Sequence, residues 1–201
     1  MGPRQPDRGA QLVLASGSPR RAALLMQLGL VFSVHAFDID ETRLPGEPVE
    51  DMVRRLALSK AEAAARGVSL PVLGADTAVV VDGIALGKPA DRAEGLEMLT
   101  LLSGRSHEVL TAVALVHGPR SEVRLSRSRV TFRAITRAEA EAYWASAEPN
   151  DKAGGYGIQG IGGIFAQRIE GSYSGIVGLP LAETEALLQA FGVDTWRYRD
   201  A

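Results

Sequence analysis

Hydrophobic and polar positions alternate along this chain between two periods. Leu12-Val13-Leu14-Ala15-Ser16 opens as a short apolar run, the pattern of a buried strand over 12–16. It breaks at Gly17-Ser18-Pro19, and apolar residues then recur at helical spacing over 20–28, closed by Gly29. Phe32–Phe37 has strand character, and the acidic, turn-rich stretch Asp38–Pro48 predicts a loop. Met52, Val53, Leu56, Ala57 and Ala61 line one face of a helix over 50–66, ended by Gly67. Val72–Ala75 and Ala78–Val81 are strand-like on either side of Asp76-Thr77, and Asp82-Gly83 is a hairpin signal leading to Gly87-Lys88-Pro89.

The second half continues the alternation. Asp91–Ser103 predicts a helix with Leu96, Leu99 and Leu102 on one face. Glu108–His117 and Glu122–Ala134 predict an antiparallel strand pair with one wet face, joined by Gly118-Pro119-Arg120. Thr136 and Glu139 form a capping box at the head of a helix ending near Ser146. Glu148–Gly163 carries six glycines. Ile164–Ile169 and Gly175–Val177 are expected as strands, and Leu181–Phe191 as a last helix ended by Gly192. Strands and helices in alternation define an α/β fold. No repeat or clean linker divides the chain, so a single domain over 11–201 is expected, after a disordered tail at 1–10.

Composition narrows the chemistry. A hydrophobic fraction of 46% and a charged fraction of 23% are those of a globular protein. A net charge of -2 argues against stable nucleic-acid binding through bulk electrostatics. The absence of cysteine excludes disulfides, thiolate metal sites and cysteine nucleophiles. With only three scattered histidines, a metal would be a hard cation on carboxylates, such as Mg²⁺ or Mn²⁺. No run is long and apolar enough for a bilayer, and the first residues lack the apolar segment of a signal peptide, so a cytoplasmic location with no membrane partner is expected.

Several segments could carry chemistry. The turn Ser16-Gly17-Ser18-Pro19-Arg20-Arg21 places hydroxyls, free first-turn amides and two guanidiniums where a strand meets a helix. That suits a phosphorylated ligand, or equally a capped helix with a solvated arginine pair. Asp76 lies within an apolar stretch, where an ionised carboxylate needs a cation or a hydrogen-bond network. It is a metal ligand or general base on one reading and a strand-end turn residue on the other. Lys60, Lys88 and Glu41 are each also explained as solvated surface charges. The glycines of 154–163 mark backbone that approaches a ligand closely or adopts positive φ, and Gln159 presents an amide able to pair with a base edge. Gly155-Tyr156-Gly157-Ile158-Gln159-Gly160 matches G-x-G-x-x-G formally, but it neither follows a strand nor opens a helix, so it is not a dinucleotide fingerprint.

Taken together, Ala15–Arg21, Glu41, Lys60, Gly74-Ala75-Asp76-Thr77, Gly87-Lys88-Pro89, Asp151–Gly160 and Val177-Gly178-Leu179-Pro180 resemble the Maf family of nucleotide pyrophosphatases. The resemblance covers about residues 12–192. It implies a curved mixed β-sheet with flanking helices forming a deep cleft, of the Maf/inosine-triphosphatase type. It implies hydrolysis of a nucleoside triphosphate to the monophosphate and pyrophosphate with a divalent metal, a house-cleaning role in nucleotide metabolism, and a homodimer. By the same resemblance Asp76 is the general base and, with Glu41, a metal ligand, while Ser16, Arg20, Arg21, Lys60 and Lys88 hold the triphosphate. Arg20, Thr77 and Gln159 match the subgroup similar to dTTP/UTP pyrophosphatases. A subgroup acting on 7-methyl-GTP has Gln after the Asp and Glu in place of this Gln. Ala147 departs from the Gly expected before Glu148-Pro149, outside the implied contacts. The alternatives are a pyrophosphatase for 7-methyl-GTP or another modified nucleotide, and a non-catalytic nucleotide-sensing regulator of septum formation.

Overall fold

The computed structural model describes residues 9–196, so most of the expected N-terminal tail lies outside the described residues. The strands are β1 (Leu12–Leu14), β2 (Phe32–Val34), β3 (Val72–Val81), β4 (Ile84–Leu86), β5 (Ser106–His117), β6 (Arg120–Phe132) and β7 (Ala166–Glu170). They form one mixed seven-stranded sheet in the order β2-β1-β3-β5-β6-β7, with β4 paired to β3. The helices are α1 (Pro19–Met26), α2 (Val49–Ala65), α3 (Arg92–Leu102), α4 (Arg137–Ala145), α5 (Tyr173–Val177) and α6 (Leu181–Ala190).

The chain groups into two compact units. One holds the described residues up to Asp76, Thr111–Ser126 and those from Gly178 on; the other holds Thr77–Leu110 and Arg127–Val177. In the first unit β1 pairs in parallel with both β2 and β3, Leu14 lying opposite Val34 on one side and Leu73 on the other. Parallel strands buried on both faces become continuous apolar runs, and Leu12, Val13, Leu14, Val72 and Leu73 are all fully buried. Helix α2 turns Val53, Leu56, Ala57 and Ala61 inward. Gly74 on β3 makes this packing possible: a methyl group there would overlap the Ala57 carbonyl and lie 2.8 Å from the Ala61 nitrogen.

In the second unit β3 and β4 close the expected hairpin, with Val81 opposite Ile84. Asp82 and Gly83 both take positive φ, 51° and 77°, as that two-residue turn requires. Phe132, Phe165, Tyr143, Tyr156 and His107 form a chain of rings in the core, edge-to-face except at the tilted Phe132–Phe165 pair, with Phe132 and Tyr156 4.8 Å apart between centroids.

Most expected elements are present, and four readings need correction. Val72–Ala75 and Ala78–Val81 are not half-strands around a turn but one strand, so Asp76 is a mid-strand residue. The one wet face expected of the β5–β6 pair is found on β6, where buried and more open positions alternate over Ser126–Phe132, but not on β5, whose Val109–Val116 is buried throughout, inside the sheet between β3 and β6. The segment Gly175–Val177 is helical rather than extended: the Ser172 hydroxyl accepts from Gly175 N at 3.0 Å, and the Ser172 carbonyl from Ile176 N at 3.1 Å. A capping serine decides the conformation of this short apolar run. Finally, the strand expected over 164–169 begins only at Ala166, because 161–165 forms a 3₁₀ turn.

Candidate active site

In the first unit, Lys60 and Glu41, both singled out from the sequence, meet at Asp76. Its carboxylate is buried, and the Lys60 ammonium donates to Oδ1 at 2.7 Å. The same ammonium lies 2.8 Å from Glu41 Oε1, so one cation holds two carboxylates. Neither Asp76 nor Lys60 is a solvated surface charge: their side chains are only 11% and 13% exposed. Glu41 remains open, at 59%.

Each position has a local cause. Asp76 is carried by β3, between buried Ala75 and half-buried Thr77 in a strand whose other positions are all buried. Lys60 comes from α2 and reaches Asp76 because Gly74, two residues before it on the same face of β3, lets the Ala57–Ala61 turn come close. Glu41 belongs to the acidic loop, which is pinned to the same helix. Arg55 grips Glu47 through Nε and Nη2 at 2.6 and 2.8 Å and donates to the Thr42 carbonyl at 3.1 Å. This fork holds the Glu47 carboxyl down at about 2.

Burial pushes the Asp76 carboxyl above the ordinary aspartate value; the Lys60 charge and hydrogen bond, then the Arg21 charge, act in the opposite direction. The two nearby cations thus do not fully offset the burial of this carboxylate.

The β1–α1 turn resolves its two readings in part. Ser18 occupies the N-cap position without a side-chain capping bond, and Pro19 opens the helix. Ser16 is buried, and its hydroxyl accepts from Arg21 Nη1 at 3.1 Å and from Ser18 N at 3.3 Å. Arg21 Nε also donates to the Gly178 carbonyl at 2.9 Å, in the Val177–Pro180 motif. Arg21 is thus a tethered, half-buried guanidinium rather than a solvated one. Desolvation lowers its pKa first of all, with Asp76 acting the other way and the neighbouring Arg20 charge adding to the lowering.

The remaining sequence candidates lie in the second unit. Thr77 follows Asp76 on the strand and is half-buried. Lys88 is exposed, on the segment after β4 whose Gly87 carbonyl accepts from Gly154 N at 2.9 Å. Gln159 is exposed within a turn closed by the bond from Gly160 N to the Gly157 carbonyl, 3.2 Å.

The glycines around Gln159 answer to the chain itself. Gly154 and Gly155 take positive φ, 71° and 67°. A methyl on Gly160 would overlap the Glu148 carboxylate, and one on Gly162 would lie 2.5 Å from the Tyr143 hydroxyl. The close approach expected to a ligand is, at these two positions, an approach to Glu148 and Tyr143. Both residues escaped sequence reasoning, because a glutamate and a tyrosine flanking a glycine-rich stretch carry no motif of their own. Ala147 has φ 62°, which explains why glycine is the expected residue there.

The chain belongs to the Maf-like protein family, whose model matches residues 11–191. It is 50% identical to the dTTP/UTP pyrophosphatase of Saccharophagus degradans over 95% of this chain and 93% of that protein. It is 53% identical to the dTTP/UTP pyrophosphatase of Hahella chejuensis over 92% of this chain and 94% of that protein. Among solved structures, a HAM1 protein from Coxiella burnetii matches 61% of this chain and 73% of its own at 23% identity, with a TM-score of 0.45. No helix among the described residues is long and apolar enough to cross a membrane.

Proposed function

We propose that this protein is a nucleoside triphosphate pyrophosphatase that hydrolyses dTTP and UTP to the monophosphate and pyrophosphate, working in the cytoplasm. The observation that carries the reading is the buried Asp76 carboxylate held with Glu41 on a single lysine cation. The names of the relatives at about 50% identity supply the substrate class.

In this reading Asp76 accepts the proton of an attacking water. The water oxygen bonds to the α-phosphorus, the bond from that phosphorus to the bridging oxygen breaks, and pyrophosphate departs with the electron pair. Ser16, Arg20, Arg21, Lys60 and Lys88 bind the phosphates and offset the charge that grows on the leaving group. Arg20, Thr77 and Gln159 select the base; the Gln159 amide both donates to a pyrimidine carbonyl and accepts from N3–H.

The donor set fits a divalent cation. Asp76 and Glu41 already share one positive charge, that of the Lys60 ammonium. Two carboxylates completed by water and phosphate oxygens match the habit of Mg²⁺. When bound, such an ion polarises the phosphoryl oxygens and lowers the pKa of water.

The test is pyrophosphate release across a panel of dTTP, UTP, 5-methyl-UTP, pseudo-UTP and 7-methyl-GTP with Mg²⁺ or Mn²⁺. Release from dTTP and UTP, abolished in Asp76→Asn, is expected. Near-normal turnover in that variant removes Asp76 from its role, and tight nucleotide binding without release removes the enzymatic reading.

A further inference from the structure

The Glu148 carboxylate occupies an unusual place for an acidic side chain close to a glycine-rich turn. Oε2 accepts from Ile161 N at 2.8 Å, and Oε1 accepts from Gly162 N at 3.0 Å and from the Tyr143 hydroxyl at 2.8 Å. The Tyr143 oxygen in turn accepts from Gly157 N at 3.0 Å. Three backbone amides on both sides of Gln159 therefore end on one carboxylate–phenol pair. The pair is itself anchored. Tyr143 is buried, its ring against Phe165 at 5.2 Å, and the Glu148 carbonyl accepts from Lys152 Nζ at 2.6 Å. Burial acts to raise the Glu148 carboxyl, but the hydrogen bonds from Gly162, Tyr143 and Ile161 outweigh it and hold the group ionised.

The glycines show that this geometry is built in. A side chain at Gly160 would collide with the Glu148 carboxylate, and one at Gly157 would lie 2.8 Å from Lys152 and 3.0 Å from Glu148. Glycine at 157, 160 and 162 is what lets this backbone approach Glu148, Lys152 and Tyr143 so closely. Gln159 lies at the centre of this frame and is exposed, as are Gly160 and Ile161 after it.

We propose that Glu148, together with Tyr143, is a positioning residue that fixes the 157–162 backbone so that the Gln159 amide is held ready to read the pyrimidine base. The proposal rests on the assignment of Gln159 as the base reader. Glu148 touches no reacting atom; it acts through the turn. Replacing it with Gln turns one acceptor oxygen into an NH₂ that faces a backbone N–H donor, which frees one side of the turn. A displacement of about 1 Å in a substrate-orienting group costs up to about 100-fold.

The experiment measures kcat/KM for UTP and for CTP in the full-length protein, in Glu148→Gln, Tyr143→Phe, Gln159→Ala and the Glu148→Gln/Gln159→Ala double variant. The UTP:CTP ratio is expected to fall on the order of tenfold in Glu148→Gln, through a higher KM for UTP. It is expected to fall about threefold in Tyr143→Phe, and the double variant should show no more loss than Gln159→Ala alone. A purely structural role would reduce both substrates alike and leave the ratio in place. An unchanged ratio in Glu148→Gln beside a reduced one in Gln159→Ala overturns the positioning role and leaves Gln159 as reader. An unchanged ratio in Gln159→Ala overturns both. If Glu148→Gln does not fold, Tyr143→Phe decides: it keeps the ring in the core, and an unmoved ratio there overturns the proposal.

Discussion

The Lys60 ammonium sits 2.7 Å from Asp76, a residue 16 positions later in the chain and on a different element. It also lies 2.8 Å from Glu41. Removing the lysine leaves a buried carboxylate without its main hydrogen-bond partner. Lys60→Met is expected to destabilise the fold by about 2–3 kcal/mol, below the full range for a buried pair because Glu41 is open to solvent. Adding Asp76→Asn to Lys60→Met should recover most of that loss. Urea unfolding of the two single variants and the double variant measures the coupling; strict additivity would show that the two side chains do not interact.

Gly74 is the point where α2 rests on β3. Gly74→Ala places a methyl against the Ala57 carbonyl and Ala61 nitrogen, backbone atoms that cannot step aside. A cost of about 3 kcal/mol is expected, with a fall in turnover because Lys60 rides on the displaced turn. Gly87→Ala is the control for stability: nothing lies within 4 Å of the added methyl, and the change should stay within about 0.5 kcal/mol. Equal melting temperatures for the two variants would remove the packing argument.

His107 is buried, and its Nε2 shares a hydrogen with the Tyr156 hydroxyl at 2.8 Å while Nδ1 has no partner. Burial holds its pKa down to about 4, from an ordinary 6.5. As pH falls through 6.5 the unfolded chain takes up a proton that the folded chain refuses until about 4. Stability is therefore fully present above about 6.5 and is lost between there and 4, by at most about 3 kcal/mol. Unfolding free energy measured against pH should show a shallower decline over that window in His107→Gln than in the parent. Parallel curves would mean that the ring is protonated in the folded state.

Ala147 adopts a left-handed conformation, φ 62° and ψ -1°, at the residue that leads into Glu148. A Cβ in this region costs about 1–2 kcal/mol, and glycine returns part of that as unfolded-state entropy. Ala147→Gly should raise stability by about 0.5–1 kcal/mol, visible as a rise of about 2 °C in Tm. A drop in Tm would show that the entropy cost outweighs the strain.

Legibility in the sequence followed the range of the interaction. The Thr136–Glu139 capping box is present with both reciprocal bonds, and Gly29, Gly67 and Gly192 lie just beyond helix ends with φ between 72° and 78°. Each of these signals involves neighbours a few residues apart. The mistaken strand at Gly175–Val177 also had a local answer, since Ser172 is a helix cap. A run that short fits either period, and only the cap distinguishes them.

The sequence by itself determined the α/β alternation, the turn chemistry and the motif set that marks the Maf family. These depend on period, caps and residue types at fixed offsets. Only the tertiary structure decided that Asp76 lies in mid-strand on the Lys60 ammonium, that Arg21 is tethered to Ser16 and Gly178, and that Glu148 and Tyr143 frame Gln159. The physical reason is that a buried charge or amide must find a partner, and that partner is supplied by whichever element packing brings within hydrogen-bond reach. Sequence shows the need for a partner at Asp76; the close seat of α2 on Gly74 supplies it.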